Sequence, residues 1–422
     1  MTKEQRLQKR YSAEKRFKWY GIISICMALL FVALLVTKVL SEGTSAFVKS
    51  TIEIKLNFDQ TALNLPEKPI TEDLNAIDFY SFAIDQILKT YPTSNRDEEK
   101  ELIKLFTTDF EFEVKDFFLA NTNLLNQTVS FKITASSDLD QLHKGNYAKN
   151  ISEDRRKISN YQLKIYDHFI QNNKITKVFN VYFFTNGDSR NPEIAGIGGA
   201  MLGSFFSILV CLIISFPIAL LAAVYLEEFA PKNKFTDFIE ININNLAAVP
   251  SIVFGLLGLG ILLNVFELPR STSLVGGITL ALMTLPRIII PCRASLKAVP
   301  PSIREAALAV GASKVQSVIH HVVPLAMPGT LSGTIIGLAQ ALGETAPLLL
   351  IGMVAFVVQV PANPLDPSAS LPIQVYLWSE SAERGFVEKT SATIMVLLGF
   401  LIIMNSIAVY ARQKFEKKHI NT

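Results

Sequence analysis

Six long apolar runs divide the chain: Trp19–Leu40, Ala195–Leu226, Leu246–Phe266, Leu274–Cys292, Pro328–Val358 and Thr390–Tyr410. Their apolar character is continuous rather than alternating, which predicts helices and not barrel strands. A hydrocarbon core about 30 Å thick needs roughly 20 apolar residues as helix, so each run is a candidate membrane span. The second and fifth runs are longer and are expected to tilt or to extend past the bilayer. The first run carries a single charge, Lys38 near its end. It exceeds the roughly 7–15 apolar residues of a cleaved signal peptide and is expected to remain as an anchor.

Between the first two runs the pattern changes. Thr51–Phe58 alternates like a half-buried strand, and Thr128–Thr134 and Lys177–Phe184 also read as strands. Ala76–Lys89 has helical spacing, with Phe79, Phe82, Ala83 and Ile87 on one face, and Glu98–Phe106 is a second helical candidate. Asn186-Gly187-Asp188 marks a turn before the second run. Residues 41–194 are therefore expected to form a folded α+β domain.

Composition sharpens this division. Half of the residues are apolar or aromatic, only 18% are charged, and the mean hydropathy is +0.32; soluble domains average about 25% charged. Residues 41–195 hold 18 Lys+Arg and 23 Asp+Glu, a net of −5, whereas the other 267 residues hold 22 and 14, a net of +8. Cys26, Cys211 and Cys292 all lie in apolar runs, so no disulfide is expected within the charged block. That block offers no nucleophile–base arrangement, no metal-ligand spacing and no aromatic–basic array for nucleic acid. It reads as a structural or docking domain.

The basic residues predict orientation. Residues 1–18 contain Lys3, Arg6, Lys9, Arg10, Lys15, Arg16 and Lys18, and the tail 412–422 contains Arg412, Lys414, Lys417 and Lys418. Six spans put both termini on one side, which the basic tails make cytoplasmic. Loops 227–245 and 293–327 are then inside; the acidic block and loops 267–273 and 359–389 are outside.

The loop between the fourth and fifth runs carries the chemistry. Ser302 followed by Glu305 has capping-box spacing. Glu305-Ala306-Ala307-Leu308-Ala309-Val310 is a strong helix former, and Gly311 ends or turns it. Ser313–Val323 is a second amphipathic stretch, expected to stop at Pro324 and Pro328. A short helix with a face of small residues projecting from the membrane suits either a docking partner or the membrane surface.

Glu305-Ala306-Ala307, with Gly311 four residues on and Val323-Pro324 beyond, resembles the EAA signature of ABC-importer permeases. His321 and Val323 depart from the usual Ile-x-Leu-Pro ending. Asn245–Gly255 (NLAAVPSIVFG), Thr279–Lys314 and Ala341–Leu349 (ALGETAPLL) are similar to the A-type permease of the phosphate-specific importers. The resemblance covers roughly residues 196–411; block 41–194 and anchor 19–40 resemble the extension of longer members. It implies an α-helical polytopic membrane protein: six transmembrane helices with the ABC-importer permease core at 195–411, plus an inserted α+β exterior domain. It implies a multi-pass protein of the bacterial inner membrane that imports inorganic phosphate, works without a cofactor or bound metal, and touches membrane lipid. The implied partners are a homologous C-type permease, two ATP-binding subunits and an exterior phosphate-binding protein. No G-x4-GK[ST] occurs in the chain, so ATP hydrolysis is assigned to those partners. The resemblance makes Glu305, Ala306, Ala307 and Gly311, within the EAA loop 294–327, the ATPase-coupling residues.

Ionisable residues inside apolar runs point to a pathway, because charge in hydrocarbon is costly. Arg287, Arg293, Gln340, Glu344 and Thr345 are the candidate anion residues. Glu344 is expected midway along the fifth span, either in a helix–helix hydrogen bond or facing the pathway. Arg287 is expected to line the pathway or to pair with Glu344, and Arg293 to snorkel at the cytoplasmic edge. The family usually has an arginine before Ala-Leu-Gly-Glu-Thr; here Gln340 stands there, and Arg287 supplies an unexpected charge on the fourth helix. Gly329, Gly333 and Gly337 read as a helix-packing stripe. His320-His321 make a poor metal pair. A permease for another oxyanion, or a membrane-anchored sensor or scaffold, is the alternative.

Overall fold

The computed structural model describes residues 3–63, 65–66, 74, 76–149, 152–353 and 356–420. Met1–Thr2 and Asn421–Thr422 of the basic tails, and Val354–Ala355 of the fifth apolar run, lie outside the described residues.

The first helix, Lys3–Gly43, joins the basic preamble to the anchor without a break. Its large apolar side chains point outward, Phe31 being 66% exposed, as they would on a helix bathed in lipid. At Gly43 it crosses the last helix, Gly385–Ile420; a Cβ there would stand 2.8 Å from the backbone nitrogen of Ala392.

The domain that follows is built on a three-stranded antiparallel sheet ordered β2–β1–β3. β1 (Val48–Asn57) is central, flanked by β2 (Thr128–Thr134) and β3 (Ile175–Phe179). Ile52 pairs with Ile133 on one side and Ile175 on the other. Ile52, Ile54 and Leu56 alternate into a core shared with Phe58, Phe106, Phe110, Phe118 and Phe169 from the covering helices. Phe58 lies 4.9 Å from Phe118 and 5.4 Å from Phe82 between ring centroids. Large rings closing around one sheet stabilise a domain in water by burying apolar area.

Caps correct several sequence-based boundaries. Asp78 accepts from Ser81 N, so the predicted Ala76–Lys89 helix starts at Phe79. Asn95 starts the next at Arg96, and it ends at Ile103 rather than Phe106. The expected strand Lys177–Phe184 is half wrong: Asn180 caps a short helix, Val181–Thr185, and its amide also donates to the carbonyl of Ala46. The helices Phe110–Ala120, Ser137–Lys144 and Asn160–Gln171 were not anticipated.

This domain is clamped to the last helix. Lys144, almost fully buried, bridges Asp140 at 2.6 Å and Glu388 at 2.7 Å, and Ser45 donates to the same Glu388 carboxylate. Trp378 Nε1 donates to Asp188 at 2.9 Å.

Among the described residues, five helices are long and apolar enough to cross a membrane, and a bent pair counts as a sixth if it is one span. That pair corrects the third predicted span. Lys234–Ala247 and Ser251–Leu263 meet at 103° around Pro250, because a proline there lacks the N–H needed to continue the ladder. The fifth span is also displaced. Pro324 and Pro328 do not stop the preceding stretch: Lys314–Leu342 runs through as one helix, with a wide π-helical turn at Val318–Val322 just before Pro324. It then breaks at Gly343–Thr345 and resumes as Ala346–Leu350.

Small residues set the helix contacts. A Cβ on Gly333 would fall 2.3 Å from the Pro291 ring, and one on Gly329 would fall 2.2 Å from Ser295 Oγ. The stripe Gly329–Gly333–Gly337 thus lets Lys314–Leu342 close on Ser273–Ala298, packing by backbone approach as membrane helices do. Ser271 and Leu274 bond to Ser368 and Pro364 at the end that carries the sheet domain. Glu227 and Glu228 meet Arg293 and Arg304 at the opposite end.

Candidate coupling and pathway sites

The helix bearing Glu305 spans Pro301–Ala309. Proline at its first position costs no hydrogen bond, since that N–H has no intrahelical partner. The expected Ser302–Glu305 capping box does not form: Ser302 lies inside the helix and no side chain caps it. The capping box is at Ser313–Gln316, opening the next helix. Gly311 ends the first one with φ +91°. Its N–H reaches the carbonyl of Leu308 at 3.0 Å, and the Ala312 N–H reaches Ala307 at 3.1 Å, the paired closure that favours glycine.

The outward face differs from the sequence expectation in one residue. Glu305 and Ala306 are exposed, as are Leu308 and Val310, whereas Ala307 is buried against the molecule. Val310 is 86% exposed and Gly311 has open space around it. The projecting surface is therefore one carboxylate, the two alanines Ala306 and Ala309, and two larger apolar side chains beside a tight turn.

Behind that surface stands Arg304, which sequence reasoning passed over. Its Nε donates to both oxygens of Glu228 at 3.1 and 3.2 Å, and Nη2 to Oε1 at 2.5 Å. Nη1 and Nη2 also donate to the carbonyls of Val299 and Leu296. One planar guanidinium thus ties the projecting helix both to the end of Ser273–Ala298 and to the wide turn Tyr225–Phe229 that extends Gly198–Val224. Arginine's fixed fork suits this and lysine's single point charge does not. Arg293 is not a free snorkelling residue: it contacts Glu240 at 2.5 Å and Glu227 at 3.5 Å, and Lys297 shares Glu227. The available signal was the doublet Glu227-Glu228 at the edge of an apolar run, with three cations along 293–304.

Arg287 and Glu344 do meet. Arg287 lies 14 residues into its helix, about 21 Å at 1.5 Å per residue. Its Nη1 stands 3.7 Å from Glu344 Oε1, with both side chains about one-fifth exposed. Nη1 has no hydrogen-bond partner among the described residues, so this is an ion pair without a closed hydrogen bond. Glu344 is not midway along a helix; it sits in the break after Leu342. Thr345 is half-buried beside it, and Gln340, one turn earlier, is exposed. The Ala346–Leu350 helix beyond the break packs on the bent pair, where a Cβ on Gly255 would meet the Pro347 backbone at 2.6 Å. The site is thus a helix break with a carboxylate, an arginine from a neighbouring helix, and two neutral hydrogen-bonding side chains.

Residues 215–417 match the family of binding-protein-dependent transport system inner membrane components, and residues 4–153 match a domain of unknown function (DUF3333). The chain is similar to a probable phosphate transport system permease protein PstA of Methanocaldococcus jannaschii, 30% identical over 49% of this chain and 73% of that protein. It is 28% identical to the phosphate transport system permease protein PstA of Haemophilus influenzae, over 56% of this chain and 81% of that protein. With the probable ABC transporter permease protein YqgI of Bacillus subtilis it shares 32% identity over 40% of this chain, spanning 56% of the relative's length. Among solved structures, an inward-facing MetNI methionine ABC transporter aligns with 52% of this chain and 94% of its own, at 17% identity and a TM-score of 0.41.

Proposed function

This chain belongs to the PstA family of ABC-importer permeases, and from that premise we propose that it forms part of the pathway of an ATP-driven importer of inorganic phosphate. The observation that carries the reading is the agreement between relatives that are phosphate permeases and an arginine–carboxylate pair at a helix break in the membrane body. Arg287 offers positive charge and a two-pronged donor to phosphate oxygens. Glu344 accepts from a protonated phosphate oxygen. Arg287 stands in for the arginine that Gln340 does not supply. A second permease, two ATPase subunits and an exterior binding protein complete the machine, with both termini of this chain in the cytoplasm. The exposed apolar side chains Phe235, Phe238 and Ile241 on the bent pair suit a second permease.

Glu305, Ala306 and Gly311 form the surface that docks on an ATPase, and Arg304–Glu228 carries its movement to the membrane helices. That is a rigid-body coupling. Ala307 serves it from inside, as packing. The test is uptake of radiolabelled phosphate by cells lacking this chain and restored with it, competed with arsenate and with sulfate. Restored uptake, blocked by arsenate and indifferent to sulfate, is expected; competition by sulfate would make it a permease for another oxyanion.

A further inference from the structure

A cavity remote from Arg287–Glu344 and from the projecting helix lies between the sheet domain and the turn preceding the last helix. It encloses about 490 Å³. Leu142 and Ile158 form an apolar floor, and Arg155, Arg156, Lys157 and Arg384 line it. Residues 41–195 carry a net charge of −5, so three cations of that block around one cavity, joined by Arg384 from outside it, run against the domain's own balance.

Of the four lining cations only Lys157 is in an ion pair among the described residues, although Glu153 and Asp154 adjoin Arg155 in the chain. Asp138 and Glu383 both pair with Lys157, at 3.8 and 2.9 Å. Arg384 lies over the Tyr147 ring and donates to the carbonyl of Asn146. Arg156 donates to the carbonyl of Lys149 and to the Asn160 side chain, and its buried Nε has no acceptor. Arg155 takes part in no ion pair among the described residues. Three arginines without a carboxylate partner among those residues, above an apolar floor, select an anion that also has an apolar part.

The position in the fold narrows the source. Arg384 immediately precedes the last helix, which begins at Gly385. It stands six residues, about 9 Å at 1.5 Å per residue, above Thr390, where the apolar run begins. The interfacial layer of a bilayer is roughly 5–8 Å deep on each side. The helix that supplies Leu142 is locked to the same last helix through Lys144 and Glu388, so the cavity keeps a fixed height at the membrane surface. We propose that it holds the phosphate headgroup of an anionic glycerophospholipid, with the arginines on the phosphate and the glycerol and upper acyl carbons against Leu142 and Ile158. Such a lipid would brace the joint between the sheet domain and the last helix. The inference is independent of which anion is transported.

The experiment is native mass spectrometry of the full chain in detergent, titrated with phosphatidylglycerol, phosphatidylcholine or inorganic phosphate. The wild-type chain is expected to prefer phosphatidylglycerol about tenfold or more, since basic side chains near the membrane surface attract anionic lipid. Arg155→Gln with Arg384→Gln should remove that preference, and Arg155→Lys with Arg384→Lys should keep most of it. Ala382→Trp, which fills the cavity without changing charge, should also remove it, and serves if the arginine variant does not fold. Millimolar inorganic phosphate should leave the lipid bound. An unchanged preference in both the Gln and Trp variants overturns the proposal, and so does displacement of the lipid by inorganic phosphate, which would make the cavity a free-anion site.

Discussion

Two arginine–carboxylate pairs in this molecule are built in opposite ways. Arg304 spends its fork on Glu228 and on two backbone carbonyls, with a closest contact of 2.5 Å. Arg287 stands 3.7 Å from Glu344 and leaves Nη1 without a hydrogen-bond partner among the described residues. The first has the geometry of a strut, in which each of the three guanidinium nitrogens has an acceptor. The second leaves hydrogen-bonding capacity that an incoming anion can take up without first breaking a bond. Burial of charge is offset only when such bonds are complete, so the incomplete pair is the one proposed to meet the transported anion.

The largest effect expected is at the strut. Arg304→Met leaves Glu228 buried and unpaired, which costs about 3 kcal/mol or more. Both the unfolding temperature in detergent and phosphate uptake should fall, whereas Arg304→Met combined with Glu228→Leu should regain stability but not uptake. A single variant with unchanged melting would erase the distinction between the two pairs. Next is the open pair. Arg287→Gln should lower initial-rate uptake about tenfold, equivalent to about 1.4 kcal/mol of barrier, at matched membrane levels and with little change in melting. Arg287→Lys should fall between it and the wild type, since charge remains and the fork is lost. Arg287→Thr with Gln340→Arg should recover much of the loss; if Arg287→Gln transports normally, Arg287 is a packing residue.

Glu305→Lys probes the face that neither pair occupies. This exposed residue should leave melting unchanged, because surface charges contribute little to stability, while phosphate uptake and ATPase association both weaken. Normal uptake with normal association would remove Glu305 from the coupling surface. The smallest effect is expected for Arg293→Lys. Glu240 and Glu227 both contact Arg293, and Lys297 shares Glu227, so a point charge there keeps most of the network; the loss of unfolding free energy should stay below about 1 kcal/mol.

Much of this architecture was legible along the chain. Continuous apolar runs marked the spans, alternation marked β1, and Gly311 marked the end of the projecting helix Pro301–Ala309. The misses have a common cause. Pro250 bends the third span by 103° and Gly343–Thr345 breaks the fifth, yet apolar residues continue on both sides of each break and a single Glu344 does not end the run, so averaged hydropathy could not see it. Prolines 324 and 328 looked like stops and are carried within a helix, because the ladder is already widened before the first of them. Asn180 turned a predicted strand into a helix cap through a side-chain bond that the alternation of Lys177–Phe184 did not register.

The sequence by itself determined that this is a membrane body with a charged domain inserted after its first helix, and that a short Glu-Ala-Ala helix projects between two spans. Those properties depend on local composition and on residues a few positions apart. Only the tertiary structure decided that Ala307 faces inward while Glu305 and Ala306 face out, that Arg304 grips a carboxylate 76 residues away, and that Arg287 reaches Glu344 without closing a hydrogen bond. These are relations between residues far apart in the chain, fixed by how separate helices pack, and a shift of one helical turn, about 5.4 Å, is enough to part an ion pair.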